Sequence, residues 1–261
     1  LLGKRIESLS RHGKLLIFHF SEDLTMLAHL RMEGKYYYYG NHHDREKHDI
    51  FAFLFDDGTS LVYNDTRKFG FAELYRGDEW KKAHSYTSIG PEPFETTPES
   101  LLKEYSKYHR PIKESLLDQS IMCGLGNIYA DEVLFASRLH PLTGSNQIAL
   151  NDAEHILMHS QGILLQAIDN GGSTIHSYHP GLGIDGKMQN ALKVYGKEGE
   201  PCLTCGHPLY RIKISGRSST YCPHCQVLPH HPLVIGVTGP IHSGKSTVAD
   251  FFKGKGAAIF N

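Results

Sequence analysis

The sequence predicts an α+β protein of several domains: an antiparallel β-sandwich, a helical domain, a small cysteine-rich β-hairpin and a partial βα unit. Three observations predict this class. Hydrophobic residues alternate with a period of two through residues 1–75, as in short antiparallel strands. Helix caps and glycine stops follow from Thr97, and two closely spaced cysteine pairs come after them. We place the domains at residues 1–96, 97–190, 191–228 and 229–261.

Composition excludes whole classes of protein. The 261 residues include 27 Lys+Arg and 28 Asp+Glu, and 40% are hydrophobic, which excludes global disorder. We expect a cytoplasmic monomer with neither a membrane span nor a signal peptide, because no apolar run reaches about 18 residues. A formal net charge of -1 leaves nucleic-acid binding open if basic residues are concentrated locally.

Turn residues separate the strands of the predicted sandwich. The strands are Leu15–Phe20, Thr25–Arg31, Tyr36–Tyr39, Asp49–Phe55, Ser60–Tyr63 and Phe69–Tyr75. Asp56-Asp57-Gly58 is a turn signal between the fourth and the fifth. Short strands at this spacing are typical of an antiparallel sandwich or barrel.

Capping residues and glycines predict four helices. Thr97 followed by Pro98 is an N-cap with a first-turn proline. The predicted helices are residues 98–108, 111–120, 127–138 and a last helix that Asn151 opens and Gly171-Gly172 ends.

Glycines precede the third helix. In Gly124-Leu125-Gly126 they bring backbone N–H groups to a helix N-terminus that Asn127 is expected to cap, and such an end binds phosphate. Lys113, on the preceding helix, is a candidate charge beside this site. A tight interhelical turn without a ligand is an equally good interpretation of these residues taken alone.

Four of the five cysteines form two C-x-x-C pairs, Cys202/Cys205 and Cys222/Cys225, sixteen residues apart. This spacing predicts that the four thiolates form a tetrahedral site for one structural Zn²⁺, and unligated or redox-active thiols are the alternative. The residues between the pairs form a β-hairpin with Gly216 in its turn and Arg217 at its tip. An exposed arginine there can reach a phosphate or a base edge.

Six short motifs occur in this order along residues 1–226. They are His29-Leu30-Arg31-Met32-Glu33-Gly34, Asn64-Asp65-Thr66-Arg67-Lys68-Phe69-Gly70, Gly90-Pro91-Glu92-Pro93, Gly124-Leu125-Gly126-Asn127-Ile128-Tyr129-Ala130-Asp131-Glu132, Gly171-Gly172-Ser173-Thr174-Ile175 and Gly216-Arg217. Together they resemble the formamidopyrimidine-DNA glycosylases. The resemblance implies an enzyme that removes oxidised purines, such as 8-oxoguanine and formamidopyrimidine, from duplex DNA and then cleaves the abasic strand.

The resemblance also implies roles for single residues. Met32, Arg67 and Phe69 would fill the gap left by an everted nucleotide, although core packing for Met32 and Phe69 and a solvated turn for Arg67 are the simpler alternatives. Lys14 matches a lysine near the lesion phosphate and the abasic sugar. The remaining assignments are phosphate contacts by Lys113, Asn127 and Arg217, and a loop over the damaged base formed by Ser173 and Thr174.

The sequence departs from that family at its first residues. The family's nucleophile is an N-terminal proline followed by glutamate, whereas this sequence starts Leu1-Leu2 and aligns downstream of that proline. We therefore expect a truncated member with little or no glycosylase activity, in which Lys14 is the candidate substitute amine. A non-catalytic module that binds damaged DNA is the alternative hypothesis.

The last residues fit a second motif. Gly239, Gly244, Lys245 and Ser246 satisfy G-x4-G-K-S, and the segment resembles the start of dephospho-coenzyme A kinase. The resemblance implies phosphates held by the loop, with ATP and Mg²⁺ as cofactors of a complete kinase. Because one strand, one loop and one helix cannot bury a core, we expect no nucleotide binding by this piece.

Overall fold

Two antiparallel sheets are formed by residues 6–76. The computed structural model describes residues 1–173, 186–228, 236–240 and 243–254. Its first seven strands are β1 (Ile6–His12), β2 (Leu15–Phe20), β3 (Leu24–His29), β4 (Lys35–Tyr39), β5 (Asp49–Leu54), β6 (Ser60–Asn64) and β7 (Phe71–Arg76). One sheet has the order β1-β2-β3-β7 and the other β4-β6-β5, and all neighbours are antiparallel, as predicted.

Aromatic rings fill the space between the two sheets. The ring centroid of Phe18 lies 5.4 Å from that of Tyr36, and that of Phe20 lies 5.8 Å from that of Phe53. On its other face the four-stranded sheet packs Leu15 and other buried residues against the segment that follows β7. The alternation in β2 thus places apolar side chains in two separate layers.

Three strands, β3, β5 and β7, are each one residue shorter than the hydrophobic pattern predicts, and the pattern does not predict β1 as a separate strand. β3 ends at His29 because Arg31 has a φ of 55°. β7 begins at Phe71 because Lys68 has a φ of 56° and the Gly70 N–H is taken by a side chain. Left-handed backbone of this kind cannot continue a strand.

Five helices follow: α1 (His84–Thr87), α2 (Pro98–Tyr105), α3 (Ile112–Leu117), α4 (Asn127–Ala136) and α5 (Leu150–Asp169). Thr97 caps α2 as predicted, since its side chain accepts the Ser100 N–H at 3.3 Å. α5 begins at Leu150, so Asn151 is not its N-cap. The Asp152 carboxylate instead accepts the Ala149 N–H at 3.0 Å. The core of this domain lies between α2, α3, α4 and α5.

A small β-hairpin follows the helices and consists of β8 (Tyr210–Ile214) and β9 (Arg217–Tyr221). Ser215 and Gly216 form its turn with φ values of 46° and 81°, as a two-residue turn with both positions left-handed requires. Its base packs on Phe135 of α4 through Leu209.

Residues Leu1–Leu228 form one unit, and Pro229–Asn261 form a second. In the described part of the second unit, residues 236–239 belong to no strand and α6 spans Lys245–Gly254. The sequence predicts a strand over residues 233–237, and residues 233–235 of it lie outside the described residues. Among the helices of the described residues, none has the length and apolar character needed to span a membrane.

Candidate nucleic-acid interface

The four cysteines of the two C-x-x-C pairs lie together at the base of the β8–β9 hairpin. Their Sγ atoms are all within 4.8 Å of one another, with 3.9 Å between Cys202 and Cys225 and 3.4 Å between Cys205 and Cys222. A tetrahedral zinc with Zn–S bonds of about 2.3 Å places its sulfurs about 3.8 Å apart. The donor set and its spacing therefore fit one structural zinc ion.

Met32, Arg67 and Phe69, the wedge cluster, form a contiguous exposed group on two loops of the β-domain. The Arg67 guanidinium lies 4.8 Å from the centre of the Phe69 ring, and its Nη1 lies 3.4 Å from Met32 Sδ. Met32 is 62% exposed and Phe69 is 55% exposed, so neither belongs to the core. Exposed apolar groups arranged in this way can insert between stacked bases.

A buried carboxylate shapes the loop of Arg67 and Phe69. Asp65 accepts hydrogen bonds from the Arg67 N–H at 3.0 Å, the Gly70 N–H at 2.9 Å and the Tyr63 hydroxyl at 3.2 Å. Burial opposes ionisation of Asp65, but these hydrogen bonds outweigh it and hold its pKa below the usual value. The sequence interpretation quoted this residue in a motif and missed its role.

Lys14 lies where the β-sandwich meets the helical domain, beside the N-terminus of α4. Its Nζ donates to the Leu125 carbonyl at 2.7 Å, and the N-cap of α4 is Gly126, which offers no side-chain cap. Burial and the neighbouring Arg217 guanidinium lower the pKa of Lys14 to about 8. Within the described residues, none of the ion pairs includes Lys14 or Arg217.

Within the part of the chain that the structure describes, Lys14 and Arg217 form no ion pair with a carboxylate, and cations beside a helix N-terminus favour the binding of an anion. We call Lys14, Arg217 and the N-terminus of α4 the phosphate site. Arg217 is exposed and starts β9 directly after the hairpin turn, as predicted.

Glu92 fixes the β1–β2 turn that presents Lys14. Its Oε1 accepts hydrogen bonds from the Gly13 N–H at 2.7 Å and from the Arg11 guanidinium at 2.6 Å. Gly13 has a φ of 55°, and a Cβ there would lie 3.0 Å from that of buried Cys123. Glu92 is a second functional residue that sequence reasoning quoted in a motif but did not assign.

His29 is a further polar group near this site, and it is half-buried. Its Nδ1 accepts the Arg31 N–H at 2.9 Å. Burial, and then the charges of Arg31 and Lys14, lower the pKa of His29 to about 4. His29 is therefore neutral at pH 7 and shapes the loop that carries Met32.

The predicted cap role of Asn127 and the predicted phosphate contact of Lys113 are wrong, whereas a phosphate contact by Asn127 stays a prediction. Asn127 is the first residue of α4 and not its cap, and its Nδ2 donates to the Ser218 carbonyl at 3.2 Å. Lys113 is fully buried, with its Nζ 2.7 Å from Asp131 Oδ1 and 2.8 Å from the Ser218 carbonyl. A lysine without exposed surface cannot contact DNA, so Lys113 has another role.

The structure describes all but one of the remaining predicted residues. Ser173 forms a hydrogen bond of 3.1 Å with the Tyr129 hydroxyl, whereas Thr174 lies outside the described residues. In the second unit Lys245 donates to the carbonyls of Gly239 at 2.7 Å and Pro240 at 2.6 Å. Gly244 and Ser246 stand at the start of α6.

Comparisons with known proteins match all three parts of the first unit. Family models described as the formamidopyrimidine-DNA glycosylase N-terminal domain, its H2TH domain and the zinc finger found in FPG and IleRS match residues 1–72, 89–179 and 199–227. The formamidopyrimidine-DNA glycosylase of Lactobacillus johnsonii is 43% identical over 230 residues, which cover 87% of this chain and 83% of the relative. That of Bacillus cereus is 42% identical over 228 residues, covering 87% and 82%.

Solved structures give the same result. Lactococcus lactis Fpg in complex with DNA containing an abasic site has a TM-score of 0.80 and 41% identity, and the match covers 86% of this chain and 83% of that one. MutM in complex with DNA containing carbocyclic 8-oxo-G has a TM-score of 0.78 and 40% identity, covering 86% and 82%.

Proposed function

The chain belongs to the formamidopyrimidine-DNA glycosylase family, and from this premise we propose that it is a base-excision repair glycosylase and abasic-site lyase for oxidised purines in duplex DNA. The main supporting observation is that one unit holds two complementary surfaces. The wedge cluster is exposed and apolar, and the phosphate site holds two cations beside a helix N-terminus.

The wedge cluster supplies what nucleotide eversion requires. Turning a base out of the duplex costs a few kcal/mol of stacking and pairing, least for a damaged or missing base. Met32 and Phe69 can occupy the space left in the stack, and Arg67 extends this surface with its planar guanidinium. A damaged site is then bound better than an intact one because less pairing is lost.

The phosphate site supplies a contact to the DNA backbone. A phosphate near the N-terminus of α4 would accept hydrogen bonds from its N–H groups and from Arg217. It would also favour the protonated form of Lys14, whose pKa of about 8 reflects burial and the neighbouring guanidinium, and leave a smaller neutral fraction of that amine. Phosphate contacts orient the duplex without reading its sequence.

We propose Lys14 as the candidate for covalent chemistry at an abasic sugar. A neutral Lys14 amine can attack the aldehyde carbon of an abasic sugar, so that a C–N bond forms and the carbonyl oxygen leaves as water. A pKa of about 8 makes this neutral form accessible near neutral pH.

Fluorescence anisotropy and borohydride trapping test the proposal on the 261-residue chain. We expect an abasic-site duplex to bind about tenfold or more tightly than the same duplex undamaged, and equal affinities contradict the proposed function. A trapped adduct that disappears in Lys14→Arg assigns the Schiff base to Lys14. Binding without an adduct supports the non-catalytic damaged-DNA-binding module.

Two further parts of the proposal have their own tests. We propose a monomer, which sedimentation equilibrium checks. The kinase resemblance implies ATP and Mg²⁺ only as cofactors of a complete kinase, so we expect no nucleotide binding by the second unit, in which Lys245 donates to the carbonyls of Gly239 and Pro240. ATP-dependent phosphorylation of dephospho-coenzyme A is the corresponding assay.

A further inference from the structure

We propose that the buried Lys113–Asp131 ion pair is a positioning device that holds Arg217 at the phosphate site. The inference rests on the proposed role of Arg217 in DNA binding. It gives Lys113 a function that requires burial, in place of the phosphate contact that burial excludes.

The ion pair ties β9 to two helices. Asp131, on α4, accepts hydrogen bonds at Oδ1 from Lys113 Nζ at 2.7 Å and Ser219 Oγ at 2.6 Å, and at Oδ2 from the Thr220 N–H at 3.0 Å. Lys113 is on α3. Both partners of the ion pair are 1% exposed at their side chains, so no part of it reaches the surface.

Side chains from two helices, α3 and α4, bind the backbone of Ser218, the residue next to Arg217. The Ser218 carbonyl accepts hydrogen bonds from Lys113 Nζ at 2.8 Å and from Asn127 Nδ2 at 3.2 Å. Two residues before Arg217, the Ser215 hydroxyl donates to the Glu114 carboxylate. Arg217 is thus bracketed by contacts to residues on α3 and α4.

The zinc site does not provide this placement by itself. Its cysteines lie at the base of the hairpin, and Arg217 is five residues from Cys222 in sequence. A two-stranded hairpin is only marginally stable alone, so its tip needs a second attachment to keep a fixed orientation. The contacts of Lys113 and Asp131 supply that attachment.

Electrostatics gives the reason for a strong attachment. Arg217 lies close enough to Lys14 and Lys113 to lower the pKa of both, after the larger effect of burial. Asp131 compensates the charge of Lys113, so the remaining repulsion is between Arg217 and Lys14, and it would move the Arg217 side of the hairpin away from α4 when no phosphate is bound. Burying an ion pair rarely stabilises a fold more than apolar residues of the same volume would. A charge that is already fixed in its bound position does, however, lower the conformational entropy lost when an anion binds.

Affinity for an abasic-site duplex, measured against salt concentration, tests the inference. Arg217→Ala should weaken binding about tenfold and reduce the slope of log K against log salt by about one. Lys113→Met should reproduce both changes while zinc content stays at one per chain. The double variant should bind no more weakly than Arg217→Ala alone, because Lys113 acts through Arg217. Lys107→Met, which removes a surface lysine paired with Glu104, is the matched control and should bind like the parent.

Lys113→Met leaves a buried carboxylate without its cation and can prevent folding. Asp131→Asn added to Lys113→Met gives a neutral pair that still offers one acceptor to β9. This pair should fold and should keep the reduced salt slope, since the Ser218 carbonyl has lost its lysine.

Two kinds of result overturn the inference. If Arg217→Ala weakens binding but the folded Lys113 variants keep the parent slope, only the positioning role fails. The same holds if the two losses add. If Arg217→Ala binds like the parent, the proposed phosphate contact of Arg217 fails and the positioning role fails with it.

Discussion

The two surfaces proposed to meet DNA are built in different ways. The wedge cluster is made by two short loops, and one buried carboxylate, Asp65, shapes the loop of Arg67 and Phe69 through bonds within six residues of sequence. Arg217 is instead placed by a metal site and by contacts between residues up to 105 positions apart, such as Lys113 and Ser218. An apolar wedge needs exposure and a loop of fixed shape. A charge at a phosphate needs anchors from several parts of the fold.

The difference in construction predicts a difference in response to mutation. Loss of a long-range anchor should disturb the phosphate contact without changing the wedge, and loss of the loop carboxylate should do the reverse. Each of the four predictions below tests one side of this comparison.

Removal of the metal should have the largest effect. Cys202→Ser takes away one of four zinc ligands, and a hairpin without its own core should unfold, so that DNA binding is abolished. Zinc content by atomic absorption and duplex affinity by anisotropy measure the two consequences. Unchanged affinity in a chain that has lost its zinc would sink the structural role.

Asp65→Ala should damage the wedge side. Two backbone N–H groups and the Tyr63 hydroxyl lose their acceptor, which costs about 1–3 kcal/mol of folding free energy. The preference for abasic over undamaged duplex should fall, while the salt slope set by phosphate contacts stays. Because the pKa of Asp65 is lowered in the folded state, this stability is present at neutral pH and lost as pH falls below about 4.

Asp57→Ala is the matched control for this change. Asp57 also accepts a backbone N–H in a turn, from Thr59 at 2.9 Å, but it is exposed and lies outside the loop that carries Arg67 and Phe69. Urea denaturation and both affinities should change little in this variant. Equal losses of stability and of abasic-duplex preference in the two aspartate variants would contradict the special role of Asp65.

The sequence predicts features that depend on local residues better than features that depend on contacts between distant parts of the chain. The strands, the C-x-x-C pairs and Arg217 depend on local pattern or spacing, and the structure places them close to the predicted positions. The zinc prediction is confirmed by the matching finger model. Strand ends were misplaced where a left-handed residue such as Arg31 or Lys68 interrupts an apolar run, because composition gives no signal of φ.

Lys113 shows what pattern reasoning cannot reach. A lysine on a helix near a glycine turn fits the pattern of a phosphate ligand. Whether its side chain lies at the surface or in the core depends on Asp131 and on β9, which is more than 100 residues away. Asp65 and Glu92 were overlooked for a related reason. Their function is to accept backbone N–H groups, and no residue type marks the partner of such a bond.

Arg67→Ala should have a smaller, selective effect on the wedge side. The variant loses the guanidinium over the Phe69 ring and the contact to Met32, and abasic-duplex affinity should fall by roughly tenfold. Affinity for undamaged duplex should fall less, because no base is everted there. A loss of equal size on both duplexes would make Arg67 an ordinary phosphate contact.

The smallest expected effect concerns the charge of Lys14. Its pKa of about 8 is below the ordinary value, and a bound phosphate favours the protonated form, so binding takes up a proton above about pH 8. Affinity for abasic duplex should therefore fall as pH rises from 7 to 9, and Lys14→Arg, which stays charged, should remove that fall.

Lys14 is the group expected to titrate in this range. Of the groups that interact with it, His29 has a pKa of about 4 and Cys123 a pKa raised to about 12, so both stay neutral from pH 7 to 9, whereas Arg217 stays charged. Lys103→Arg, an exposed change on α2, should leave the parent pH dependence intact. Parallel curves for the parent and Lys14→Arg would place Lys14 away from the bound phosphate. The phosphate side would then depend on Arg217 and the N-terminus of α4, and its salt slope would be the same at pH 7 and pH 9.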